Sequence, residues 1–111
     1  MEEIVELIKN RKFSELKAKL SEMKSADISS ILDESTKEDA VIIFRLLSKE
    51  KAGMTFSHME SDMRQKLIQD LTDAELKGVL DELFMDDTVD LIEEMPSNIV
   101  PKILKAISKE D

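Results

Sequence analysis

Apolar residues recur at helical spacing along the whole chain. Ile4, Val5, Leu7 and Ile8 make a short stripe, which Asn10-Arg11-Lys12 interrupts. Ser14 is read as the N-cap of a second helix carrying Leu16, Leu20 and Met23. From Asp27 onward the pattern repeats. Apolar pairs stand at Ile31-Leu32, Ile43-Phe44, Leu67-Ile68, Val79-Leu80, Leu91-Ile92 and Ile103-Leu104, and Phe56 fills the gap between the second and third. Their first members step by about twelve residues. Four residues beyond most of them sits another apolar residue: Leu47, Leu71, Leu83, Met95 or Ile107. Ser35 breaks this rule, and the Phe56 unit is irregular.

A period of that length fits a helix of about two turns plus a tight connection, repeated. The punctuation agrees. Ser35-x-x-Glu38 and Thr72-x-x-Glu75 read as capping boxes ahead of apolar stripes. Asp39, Asp73 and Asp87 lie near expected helix starts, where the helix dipole favours anions. Pro96 closes one unit, and Pro101 suits the first turn of the next. Each helix alone is marginal, so successive units must stack to bury their apolar faces. The pattern predicts one all-α domain over 1–111. Two helices over 1–24 precede a right-handed, solenoid-like superhelix of short helices over 25–111. The competing architecture is an irregular helical bundle.

Composition narrows the chemistry. Among 111 residues there is no Cys, Trp or Tyr and a single His, which excludes disulfides, thiol nucleophiles and cysteine-held zinc. Two Gly and two Pro are too few for a turn-rich β-sandwich. A net charge of −9 repels phosphate, so nucleic acid is a poor partner. No uncharged apolar run approaches the ~18 residues of a membrane span. Met1-Glu2-Glu3 lacks the basic opening of a signal peptide, so the chain is expected to be soluble and cytoplasmic.

The charge is concentrated. Asp70 to Glu94 holds ten acids and one base, Lys77, and the remaining residues hold fifteen of each. On a helical wheel with Asp86 at zero, Glu93 falls near about −20°, Asp90 about 40°, Glu94 about 80° and Asp87 about 100°. Leu91, Met95, Thr88, Ile92 and Val89 take the other side. Two readings stand: a solvated face with Asp86 or Asp87 as a cap, or a face awaiting a basic surface or a hard divalent cation. Like charges at i,i+4, as at Asp86 and Asp90, repel mildly. A cation of the Mg²⁺ type, which keeps its waters and needs one or two carboxylates, suits such a surface better than Ca²⁺. The calcium-loop pattern, with its Gly at the sixth position, is missing.

The run Leu83-Phe84-Met85-Asp86-Asp87-Thr88-Val89-Asp90-Leu91-Ile92-Glu93-Glu94-Met95-Pro96 resembles the L-x-x-D-D-x-x-D-L-L-E-E-L-P signature of the N-terminal cytosolic domain of MgtE-family magnesium transporters. Ala26-Asp27-Ile28-Ser29-Ser30-Ile31-Leu32-Asp33-Glu34 is similar to that domain's opening, and Phe56-Ser57-His58-Met59 to an apolar-Ser-His-Leu step. The resemblance implies a helical superhelix followed by paired CBS domains, a connecting helix and a membrane pore, assembled as a homodimer. It implies a Mg²⁺ sensor on the cytoplasmic side of the cell membrane. Ions between the acidic surfaces of this domain and the CBS domains would favour a closed gate. Asp86 and Asp90 match the family's interfacial acidic pair, with Asp87 and Glu93 beside them. Met54 stands where some relatives carry a further acid, which puts one bridging site in doubt. CBS domains and membrane helices are missing from the sequence, so the chain is expected to be a piece of a longer protein. Mg²⁺ binding to this domain alone is expected to be weak.

The rival is a non-enzymatic interaction scaffold similar to the superhelices of flagellar motor switch proteins. Met54, Met59, Met63 and Met85 would then supply a soft surface rather than core packing. An enzyme is not expected. Ser57 and His58 are sequence neighbours, which does not make a nucleophile–base pair, and His58 reads as a packing or capping residue.

Overall fold

The computed structural model describes residues 2–83 and 85–108, except for the side chains of Met85, Asp86 and Ser108. The described residues form nine helices and no strand. In order they are α1 (Glu2–Lys9), α2 (Phe13–Glu22), α3 (Ser25–Glu34), α4 (Lys37–Arg45), α5 (Lys49–His58), α6 (Ser61–Asp70), α7 (Asp73–Asp81), α8 (Met85–Glu94) and α9 (Val100–Ser108). The helices α2 to α8 begin at residues 13, 25, 37, 49, 61, 73 and 85, twelve apart, which is the period read from the apolar pairs. The step to α9, at residue 100, is longer because Pro96 follows α8 and the chain turns once more before Pro101 enters the next helix.

Most of the strong helix contacts join a helix to the next but one. α3 lies against α5, α5 against α7, α7 against α9, and α4 against α6. This all-α stacking is compatible with superhelical winding. The leading helix α1 packs on α2 and α4, which joins Ile4 to the common core. Leu32, Ile43, Leu67, Leu76, Leu91 and Ile103 are fully buried, one from each of six helices. Phe44 and Phe56 meet edge to face at 6.2 Å between ring centroids, the offset that the ring quadrupole prefers. Met59 and Met63 are core residues, whereas Met54 is exposed.

The Phe56 unit is irregular in sequence because α5 buries small residues, Ala52, Gly53 and Thr55, where other helices bury large ones. That lets α5 approach the end of α7 closely. A Cβ on Gly53 would lie 2.6 Å from Cβ of Glu82, the residue that ends α7. The last unit departs differently. α9 buries Ile103 and Ala106 and leaves Leu104 and Ile107 exposed, because its described contacts are with α7 and α6 on one side.

Capping follows the sequence in one place and not in two. Thr72 and Glu75 form the expected capping box: Thr72 Oγ1 accepts from the Glu75 N–H at 3.1 Å, and Glu75 Oε1 accepts from the Thr72 N–H at 2.9 Å. Ser35 is instead the C-cap of α3, and Thr36 caps α4 by accepting from the Asp39 N–H. Either hydroxyl could serve, and the twelve-residue step selects the later one. Ser14 lies inside α2, which starts at Phe13 behind Lys12 with no side-chain cap.

Some helix ends are capped across the stack. Lys51 donates to the carbonyls of Ser21 and Met23 at the end of α2. Lys102 repeats the arrangement on Gln69 and Leu71 at the end of α6, at 2.9 and 2.7 Å. The Asp33 carboxylate accepts from the N–H of Glu60, the N-cap residue of α6. Orphan carbonyls and N–H groups at helix ends need partners, and in a stack of short helices the partners come from about thirty residues away.

Candidate functional site

The acidic window does not stand uncompensated as its local sequence suggests. Lys37 pairs with Asp70 at 3.3 Å, Lys105 with Asp73 at 3.5 Å, Arg45 with Glu75 at 2.9 Å and Arg64 with Glu94 at 2.9 Å. All four bases come from outside the window, and Lys77 pairs with Asp81 inside it. Stacking brings residues about thirty positions apart into contact, so bases remote in sequence are adjacent in space. Glu75 shows the consequence. Burial alone would raise its carboxyl, but hydrogen bonds from Arg45 and the Thr72 backbone, together with the Arg45 charge, hold it below the ordinary 4.5.

Among the described side chains of the window, the acids without an ion pair are Glu82, the C-cap residue of α7, and three on α8. Asp87, Asp90 and Glu93 are exposed and form no ion pair among the described residues. The α8 backbone carries them on the outer side because Leu91 and Met95 take the inner one. Asp86 is the second residue of α8, and its side chain lies outside the described residues. Asp87 and Asp90 line one pocket of about 210 Å³ with Glu94, Arg64, Ser57 and Leu91. Glu93 is not part of that pocket. Glu94, which sequence reasoning counted in the window but did not single out, belongs to the pocket and is turned toward α6 by Arg64.

Three further residues find their places. Ser57 donates its hydroxyl to the Gly53 carbonyl, a bond within the helix. His58 ends α5 and is exposed, so it does not pack in the core. Met54 is 60% exposed on α5, the helix that also gives Ser57 to the acidic pocket.

The donors that face solvent on α8 are carboxylate oxygens, the ligand type of hard divalent cations. Among the described residues, no three His, Asp or Glu form a cluster that could hold a metal ion unaided. Two exposed carboxylates lining one open pocket fit a cation that keeps most of its water and takes its other ligands from elsewhere.

These features define an all-α domain of stacked short helices with an acidic outer edge. The chain belongs to the family described as the MgtE intracellular N domain, whose model matches residues 23–111. That family is a regulatory domain of magnesium transporters. The match begins where α2 ends, so α1 and α2 precede it. No curated protein matches the chain. No helix among the described residues is long and apolar enough to cross a membrane.

Proposed function

We propose that this domain senses cytosolic Mg²⁺ for a transporter. The acid face of α8 supplies Asp86, Asp87, Asp90 and Glu93 to ion sites completed by CBS domains of the same protein, within a homodimer. One observation carries the reading. Five acids of the window are tied to Lys or Arg, while Asp87, Asp90 and Glu93 on α8 are exposed and unpaired among the described residues.

The mechanism follows from charge. Two acidic surfaces repel, and a divalent ion between them offsets that repulsion only while they are close. Mg²⁺ therefore favours the compact arrangement in proportion to its extra affinity for it. Asp87 and Asp90 offer oxygens without enclosing an ion. The domain alone binds weakly, and the second module supplies the difference in affinity. When Mg²⁺ is scarce the surfaces separate and the closed gate loses its support.

An amide NMR titration with MgCl₂, matched in ionic strength by NaCl, tests this. Weak, saturable shifts confined to residues 86–94 and lost in the Asp87→Asn, Asp90→Asn double variant are expected. Shifts no different from those with NaCl would remove the reading, and tight binding by the isolated domain would contradict it. The exposed Met54 favours a second reading, an interaction scaffold similar to flagellar motor switch superhelices. Under it α8 is silent to Mg²⁺.

A further inference from the structure

We infer that Arg64 is the resident counter-cation of the α8 acid face, and that it sets how strongly this face draws a divalent ion. This rests on the reading of α8 as a surface for Mg²⁺. Arg64 sits in the first turn of α6, with its side chain only 19% exposed. Its Nη2 donates to Glu94 Oε1 at 2.9 Å, and its Nε is buried with no hydrogen-bond partner. That N–H has lost its water for nothing in return, so the bond to Glu94 leaves the guanidinium only partly matched. Its charge acts on neighbouring acids without such a bond. Among the described residues, Arg64 is the one base lining the pocket that Asp87, Asp90 and Glu94 also line.

Among its described lining residues, three carboxylates and one guanidinium leave that pocket with a net negative charge. Without Arg64 that charge would be greater, and apposed carboxylates would repel one another more strongly. Arg64 thereby lets the acids coexist on a folded surface without metal, and it lowers the pull that an arriving cation feels. It also ties α8 to α6 through the ion pair with Glu94.

Two measurements test this, one without metal. In a urea-unfolding cycle of Arg64→Gln and Asp90→Asn, removing the Asp90 charge stabilises the Arg64→Gln protein more than the wild type. The expected departure from multiplicativity in the unfolding constants is about threefold or more. A multiplicative cycle overturns the inference.

In the NMR titration with MgCl₂, Arg64→Gln binds about three- to tenfold tighter than wild type, while Arg64→Lys, which keeps the charge, stays within about twofold. A strap that was merely structural would make the Lys and Gln variants alike, and that result also overturns the inference. If α8 responds to Mg²⁺ in wild type and Arg64→Gln is no tighter, the inference fails and the sensor reading stands. If α8 responds in neither protein while the metal-free cycle shows coupling, the sensor reading fails and the counter-cation role stands. Should Arg64→Gln not fold, the wild-type Arg64 Nε–H resonance serves instead. It is expected to move in step with the α8 amides as MgCl₂ is added, and a signal that stays fixed while they move overturns the inference.

Discussion

The two glycines offer a controlled test of the stacking. Replacing either by Ala brings the same gain in helix propensity, about 0.5–1 kcal/mol in a helix interior. Their surroundings differ. At Gly78 the added methyl would meet only the far end of Lys49, Cε at 3.7 Å, an ordinary contact. At Gly53 it would meet Cβ of Glu82 at 2.6 Å and Cγ at 3.4 Å. A Cβ is fixed to its backbone, so α5 and the end of α7 must move apart to restore normal contact. Overpacking of this kind costs about 1–3 kcal/mol, which more than offsets the propensity gain over most of that range. Because the propensity term is shared, the difference between Gly78→Ala and Gly53→Ala isolates the steric term. For a chain of this size, about 4 °C in melting temperature corresponds to 1 kcal/mol. Gly78→Ala should melt about 2–4 °C above wild type, and Gly53→Ala about 4–12 °C below Gly78→Ala. Thermal melts by circular dichroism read both. Equal melting temperatures would refute the close approach of α5 to α7. The result also bears on function, since Glu82 ends α7 and the acid-bearing α8 starts three residues later.

Further outcomes follow from the caps. Thr72→Ala breaks the capping box and should cost about 1 kcal/mol by urea denaturation; a neutral result would mean that the box adds nothing to α7. Glu75 has its carboxyl held below 4.5 in the folded chain. Its contribution is therefore present at neutral pH and is lost as pH falls through that lowered value. Glu75→Gln should flatten the acid limb of a stability–pH profile, and an unchanged limb would count against the Arg45–Glu75 pair. Lys102→Met removes two donors from carbonyls at the end of α6 and should cost about 1–2 kcal/mol in urea unfolding. No change would show that water caps that helix equally well.

The helices and their spacing were legible because each unit must bury an apolar pair, and a requirement repeated every twelve residues leaves a periodic trace. Ile43-Phe44, Leu67-Ile68 and Val79-Leu80 are all buried, and the seven helix starts keep step even where the Phe56 unit seemed broken. What broke it was a second requirement, the approach of α5 to α7 at Gly53, which a count of large apolar residues passes over. Individual caps were less legible. Ser35 and Thr36 have the same chemistry, so only the position of the next helix decides between them.

Charge was legible in the wrong frame. A helical wheel compares residues within one helix, and on that scale Asp70 to Glu94 lacks bases. A stack of twelve-residue units brings together helices two or three places apart, so the effective neighbours of an acid are the bases about thirty residues away. Lys37, Arg45 and Arg64 lie 33, 30 and 30 residues before Asp70, Glu75 and Glu94. The wheel placed Leu91 and Met95 on the buried side of α8 correctly, but it also put Val89 there, and Val89 is exposed. It could not tell Glu94, taken up by Arg64, from Asp87 and Asp90, which share the pocket without their own bases. The same geometry explains why one domain can be folded and charge-compensated over most of its acids while keeping a small group of carboxylates at the surface. Stacking neutralises those that reach a base two or three helices away, and the acids on α8 without such a base keep their charge for whatever approaches from outside.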